Sequence, residues 1–305
     1  MSFSVGSLTA YVDQTSKELL AAAQFKPETA ALANLQTGVK GTAALQLLST
    51  TATIQDGSTC GFNASGTTTF TQRNIVTGAI KFEETLCPRT LQGKWTQMLL
   101  KAGQDMETIP AGIMDEIVKK IQATLETYDW TGTVGSQFYD GIKTILDATT
   151  TLYPSTSSTT PWSEANSRTI IRSIISKIPA ALKGNPNVTI FMGYDAFDDY
   201  MNKISSDNLY NQWDTKEYGT IRAENSPYKI KAVHGLDGLT DTALTSCIFA
   251  LDPTTNLYMG IDSPADDSAR MWYSQDDDNV KYSFRMRRGW QVAYPLEVVS
   301  FVNVS

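Results

Sequence analysis

The chain has 305 residues and a mass of 33.5 kDa, room for about two domains of roughly 150 residues or one elaborated domain. Hydrophobic residues make up 41% and charged residues 19%, which excludes a wholly disordered, collagenous or coiled-coil chain. A net charge of -7 and a sequence pI near 4.8 argue against a dedicated nucleic-acid reader, because gripping phosphates takes concentrated Lys and Arg.

In chain order, residues 1 to 47 read as an extended arm in which Lys17 to Gln24 and Thr42 to Leu48 favour helix between the interruptions Pro27, Gly38 and Gly41. Ser49 to Gln72, rich in Thr, Ser and Gly, predicts a polar β-hairpin with strands Thr50 to Gln55 and Thr67 to Arg73 around turn-forming residues. An isolated ribbon of this kind is marginally stable, so it should project and be stabilised by another molecule. Asn74 to Phe82 reads as a more apolar strand, and a short helical run passes through Trp95 and Leu100. Ile109, Ile113, Ile117, Ile121 and Leu125 then recur every four residues and predict one long amphipathic helix over Glu107 to Tyr128.

After a loop at Tyr153 to Thr160, Ser163 is placed to cap a helix carrying Ile170, Ile171, Ile174, Ile175 and Ile178. Asn187 to Met192 reads as a buried strand, and Phe197, Tyr200, Met201 and Ile204 as the apolar stripe of a third helix. Strands follow at Lys229 to Val233, Ser246 to Leu251 and Leu257 to Ile261. Val280, Tyr282, Phe284 and Met286 alternate with polar residues, the period of a half-buried strand. Leu296 to Val304 closes the chain as a β-branched strand fit for the middle of a sheet. The mixture is α+β with interleaved parts and no internal repeat.

Little catalytic chemistry is available. His234 is the one histidine, which removes His-rich zinc sites and helical H-E-x-x-H motifs, and beside a turn it reads as a satisfied structural residue. Cys60, Cys87 and Cys247 match neither a metal knuckle nor a disulfide framework and are expected to be reduced thiols. There is no phosphate loop or nucleophile elbow. Asp262, Asp266, Asp267, Asp276, Asp277 and Asp278 lack the glycine and terminal glutamate of a calcium loop. No catalytic residue, metal or cofactor is therefore assigned. The N-terminus has no secretory signal pattern, and no window approaches the roughly eighteen apolar residues of a spanning helix, so a soluble, cytosolically made protein is expected. Arg285, Arg287 and Arg288 form a tight basic group that needs counter-charges, either on its own strand face or across a subunit boundary.

The run Thr67 to Lys81 (TTTFTQRNIVTGAIK), leading to the helix at Ile109 to Tyr128, resembles the hairpin return, strand and spine helix of tailed-phage major capsid proteins with the Hong Kong 97 fold. Arg168 to Ile178, Val188 to Phe197 (VTIFMGYDAF), Tyr228 to Val233, Gly235 to Leu239, Leu257 to Asp262 and Asp278 to Pro295 are similar to the later elements of that family in the same order. The resemblance covers residues 45 to 305 and rests on order. It implies an N-terminal arm (1–47), an extended loop (48–75), a peripheral domain (76–130 and 258–290) and an axial domain (131–257 and 291–305). It implies self-assembly into hexamers and pentamers of an icosahedral shell around double-stranded DNA, in the virion, with portal, separate scaffolding and decoration proteins as partners and no membrane. Thr53, Gln55, Asp56, Phe70, Gln72 and Arg73 of the loop, with Arg285, Arg287 and Arg288, are the expected subunit interface.

Two departures bear on how a shell would hold. Family members that weld subunits by an isopeptide bond use a Lys on the extended loop and a Glu as base, but no Lys lies between Lys40 and Lys81 and no Glu between Glu224 and Glu297. Residues 1 to 47 are also too short and too weakly helical for a built-in scaffolding segment. The competing readings are an encapsulin, a shell of the same fold around cargo enzymes; an enzyme with dispersed acidic catalysts; and a Ser/Thr-rich adhesion module, which the sequons at Asn63, Asn187 and Asn303 suggest only superficially without a signal segment.

Overall fold

The computed structural model describes residues 27–58, 60–62, 64–87, 108–135, 138–149, 156–157, 161–207, 218–241, 245–262, 268–277 and 279–303. The helical expectations at Lys17 to Gln24 and at Trp95 to Leu100 lie outside these residues, as does most of the loop at Tyr153 to Thr160. In chain order the strands are β1 (Asn34–Gln36), β2 (Thr42–Thr51), β3 (Thr67–Val76), β4 (Gly78–Leu86), β5 (Thr156–Ser157), β6 (Thr189–Met192), β7 (Thr220–Arg222), β8 (Lys229–Ala232), β9 (Thr245–Leu251), β10 (Leu257–Ile261), β11 (Ser268–Ser274), β12 (Asn279–Val292) and β13 (Val299–Asn303). The helices are α1 (Thr108–Thr131), α2 (Ile142–Asp147), α3 (Glu164–Lys177), α4 (Tyr194–Ser206) and the single turn α5 (Pro253–Asn256).

Two sheets organise the chain. In the first, β12 pairs antiparallel with β4 along one edge and with β10 and β11, end to end, along the other, while β1 adds parallel to β10. The alternation in the sequence is realised: Val280, Tyr282, Phe284 and Met286 are buried and meet α1 through Val118, Ile121 and Leu125. The second sheet runs β5-β13-β9-β6-β8-β7. One face carries Ile190, Met192, Ile248 and Ala250 against Ile170, Ile171 and Ile174 of α3 and Phe197, Tyr200 and Ile204 of α4. The other face offers Phe191 and Phe249 to Trp130 near the end of α1, with ring centroids 5.4 and 5.7 Å apart. With both faces covered, all four residues of β6 are buried, which is why Val188, Ile190, Phe191 and Met192 show no alternation with exposed residues. Trp130 joins the two cores, and burying an aromatic of this size contributes about 1.5–3 kcal/mol or more.

Asn166 Oδ1 accepts from the Ser163 backbone N–H at 2.9 Å, so α3 starts where the sequence places its cap. Other expectations are corrected. Thr42 to Leu48, expected helical, is the first half of β2, because cross-strand pairing with β3 over Thr42↔Val76 to Thr51↔Thr67 outweighs a weak local helix preference. The first hairpin strand therefore lies earlier than expected, at Thr42–Thr51, while the second begins at Thr67 as expected and runs on to Val76. The strand expected over Asn74 to Phe82 breaks at Thr77 into β3 and β4, which pair in different sheets. Leu296 lies in a 3-10 turn (Pro295–Glu297), and only Val299 onward is strand. β1, β5, β7 and β11 are too short, or too irregular in pattern, to be seen in the sequence.

The elements are held by a buried polar hub. Asp129 of α1 and Arg288 of β12 both have fully buried side chains and form an ion pair, with Arg288 Nε donating to Asp129 Oδ1 at 2.8 Å. Trp290 Nε1 donates to the same oxygen at 2.6 Å and the Tyr139 hydroxyl at 2.9 Å. Burial, and then the Asp129 carboxylate, hold the Tyr139 phenol well above its ordinary value, so it remains a donor. The guanidinium also lies over the Trp290 ring, 5.6 Å from its centroid. Asp129→Asn strands the Arg288 charge in the core and should cost about 3–5 kcal/mol, read as a lowered thermal midpoint; a variant as stable as the parent would remove the hub from its place in the fold.

Candidate assembly interface

β2 and β3 form a two-stranded ribbon whose tip, residues 52–66, stands away from both cores. On one face the register pairs Leu48 with Phe70, Gln46 with Gln72 and Ala44 with Asn74, all exposed. Gln46 Nε2 donates to Gln72 Oε1 at 3.4 Å, and Gln72 Nε2 donates to Asn74 Oδ1 at 2.8 Å. Phe70 is 76% exposed, and at the tip Ile54 and Phe62 are 99% and 96% exposed. Large apolar groups on a polar, projecting ribbon mark a contact surface.

The predicted loop residues fall into two groups. Thr53, Gln55 and Asp56 sit at the tip, where Thr53 Oγ1 donates to Ser65 O at 3.3 Å and Gln55 Nε2 to Ser65 Oγ. Asp56 accepts from the Ser58 hydroxyl at 2.7 Å and the Ser58 backbone N–H at 2.9 Å; these bonds, the hydroxyl first, hold its carboxyl below the ordinary value. Phe70 and Gln72 lie mid-ribbon. Arg73 turns inward at the base, where Nε and Nη2 donate to Gln291 Oε1 at 3.3 and 3.2 Å, while Gln291 Nε2 donates to Asn74 O at 2.6 Å.

The three arginines all find carboxylates within their own chain. Arg285 Nη2 is 3.1 Å from Glu83 Oε1, and Arg287 Nε is 3.6 Å from Asp262 Oδ2. Hydrogen bonds from Lys81, and then from Arg285, hold the Glu83 carboxyl below its usual value. Arg288 is 0% exposed in the Asp129 hub, so its expected place at a subunit boundary is corrected: adjacency in sequence to two surface arginines hid an inward-facing one. The acidic run divides likewise. Asp262 is buried beside Arg287, Asp276 and Asp277 form an exposed turn, and Asp266, Asp267 and Asp278 lie outside the described residues. Among the described residues no group of three or more His, Cys, Asp or Glu gathers to hold a metal, and no described helix is long and apolar enough to cross a membrane. His234 Nδ1 lies 2.8 Å from Asp237 Oδ2 and its ring stacks on Tyr194 at 4.2 Å.

The sequence reading missed how the ribbon is seated. Gly260 and Gly289 are register partners on β10 and β12. A Cβ on Gly260 would lie 2.7 Å from Ile75 Cγ2, and one on Gly289 would lie 2.1 Å from the Val76 carbonyl oxygen. The pair makes a recess that receives buried Ile75 and the β3–β4 junction. Thr77 closes it, its N–H and hydroxyl donating to Gly41 O at 2.7 and 3.2 Å and its hydroxyl reaching Val39 O at 3.1 Å. Gly289→Ala should cost about 1–3 kcal/mol through overpacking against backbone, whereas Gly57→Ala at the tip, with nothing within 4 Å, should leave the thermal midpoint unchanged; equal midpoints for the two variants would contradict the seat.

No family model matches the chain, and no curated protein matches it in sequence. Solved structures do match in fold. The satellite phage P4 procapsid including size determination (Sid) protein aligns with a TM-score of 0.62 at 10% identity, covering 97% of this chain and 95% of that one. The capsid of an empty GTA particle aligns at 0.57 with 10% identity, covering 93% and 90%. A structure from Mycobacterium phage Adephagia aligns at 0.56 with 13% identity, covering 96% of each chain. These alignments run nearly end to end, and the chain has the fold of phage capsid proteins.

Proposed function

We propose that this chain is a major capsid protein that assembles, as hexamers and pentamers, into an icosahedral shell around a double-stranded DNA phage genome. The observation that carries the reading is the ribbon of β2 and β3. Its outer strand edges have no backbone partner among the described residues, and its exposed Phe70, Ile54 and Phe62 have no core of their own to enter. Such a ribbon gains stability by lying on a second copy, through strand edges and apolar contact. A contact between two different surfaces of identical chains forms a ring where its rotation divides a full turn, the geometry of a capsomer. The fold shared with capsids supports the same reading.

The rest follows from this assembly. The work is adhesion and no catalytic group is assigned. The net charge of -7 limits sticking of a shell lining to packaged DNA. Portal, separate scaffolding and decoration proteins are the partners such a shell would use, and the virion is its location.

Deleting Asp56 to Gly66 should leave the unfolding free energy of the subunit within about 1 kcal/mol of the parent, because the described residues of the tip are exposed, while abolishing closed shells in negative-stain images. Normal shells from the deletion would overturn the reading. With no Lys on the loop and no Glu on β12 itself to make an isopeptide bond, and with Cys247 buried and the exposed Cys60 and Cys87 expected to stay reduced, purified particles boiled in detergent should give a single band at the monomer mass with or without reductant. A ladder in the reduced lane would reveal a covalent weld.

A further inference from the structure

Residues 27–36 run as a strap across the seam between the two cores. Glu28 faces the second: the Tyr194 hydroxyl donates to its Oε1 at 3.3 Å, the His234 N–H to its Oε2 at 3.4 Å, and Lys231 Nζ to its carbonyl oxygen at 3.5 Å. Thr29 is fully buried against α1. Its N–H donates to Glu126 Oε2 at 3.1 Å, its hydroxyl donates to Glu126 Oε1, and Trp130 Nε1 donates to that hydroxyl at 2.8 Å. β1 then joins β10 in parallel register, Asn34↔Tyr258 to Gln36↔Gly260. Glu126 is thus the anchor of the strap on the long helix.

The surroundings of Glu126 are short of positive charge. Its own helix contributes Asp129, the strap Glu28, the segment after α1 Tyr139, and the turn beyond β8 His234 and Asp237. Among the described residues the buried cation close by, Arg288, is taken by Asp129, and Lys231 is spent on strap backbone. Gly235 packs so tightly that a Cβ there would lie 2.5 Å from the Glu126 carbonyl oxygen.

We propose that Glu126 is a pH-operated latch for the strap: docked, residues 27–36 seal its carboxyl away from water, and loss of the carboxyl proton to water favours the lifted strap, in which the charge is solvated. An ionised Glu126 in the docked strap keeps the two bonds donated by Thr29 but faces Asp129 and Glu28 with no cation of its own among the described residues. Burial, followed by Asp129, pushes the Glu126 carboxyl from 4.5 up to about 7. The sign follows from that elevation: the strap's fastening is complete below the ordinary carboxyl value and is lost as pH rises through 7. The whole shift corresponds to at most about a 300-fold change in the docking equilibrium. The latch concerns one chain and stands apart from the assembly reading, so either can fail without the other.

Hydrogen exchange of the full chain, held in one assembly state and corrected for the intrinsic rate, tests the latch on peptides spanning residues 27–36. Opening should be about tenfold greater at pH 8 than at pH 6. Glu126→Gln should keep the strap protected and remove the pH dependence. His234→Gln is the control, since His234 also meets the strap through Glu28, and it should retain the tenfold ratio. If Glu126→Gln does not fold, Glu28→Gln should move the midpoint of release to lower pH. Equal protection at both pH values in the parent, a pH dependence that survives Glu126→Gln or vanishes in His234→Gln, or an unmoved midpoint in Glu28→Gln would each overturn the latch.

Discussion

One buried carboxylate, Asp129, sets the relation between the long helix and the first sheet. It receives Arg288, Trp290 and Tyr139 together, so helix α1, strand β12 and the segment after α1 are fixed at a single point. Desolvating two charges is costly, and only a site that meets the carboxylate with several donors offsets that cost. One residue further along, Trp130 carries the same helix onto Phe191 and Phe249 of the second sheet. Registration by Asp129 and adhesion by Trp130 make one body of two cores.

A rigid body of this kind gives the ribbon something to project from. Gly260 and Gly289 remove side chains where β3 must cross β10 and β12, and Thr77 and Arg73 bond the crossing in place. The base is therefore fixed while the tip carries apolar residues that its own chain leaves in solvent. For a subunit this separates two tasks: the core fixes the direction of the ribbon, and the ribbon's surface supplies the adhesion. The strap across the seam adds a third contact set, built on a carboxyl with no cation of its own.

The long helix, the half-buried strand at Val280 to Met286, the buried strand before α4 and the presence of a polar hairpin were legible in the sequence, because each is decided by local periodicity or by turn residues. The order of those elements pointed to the capsid fold before any contact was known. Leucine and alanine in Thr42 to Leu48 misled because helix preference is weak beside a ten-residue cross-strand pairing. The arginine cluster misled because it was read as one group: the period-two alternation that puts Arg285 and Arg287 on the outer face puts Arg288, in phase with Phe284 and Met286, on the buried one.

Composition and pattern by themselves determined the class of fold, the absence of the familiar catalytic and metal motifs, and the projecting hairpin, all properties of short stretches of chain. Tertiary structure alone decided which charges are partners, since Asp129 and Arg288 lie 159 residues apart, and which glycines form a seat, since Gly260 matters only beside Gly289 and Ile75. The same holds for Glu126, whose sequence neighbours suggest an ordinary surface carboxylate and whose burial under Thr29 comes from a strap 97 residues away. The physical reason is that desolvation and pairing depend on what the folded chain brings within a few ångströms, and residues distant in sequence leave no periodic trace of that proximity.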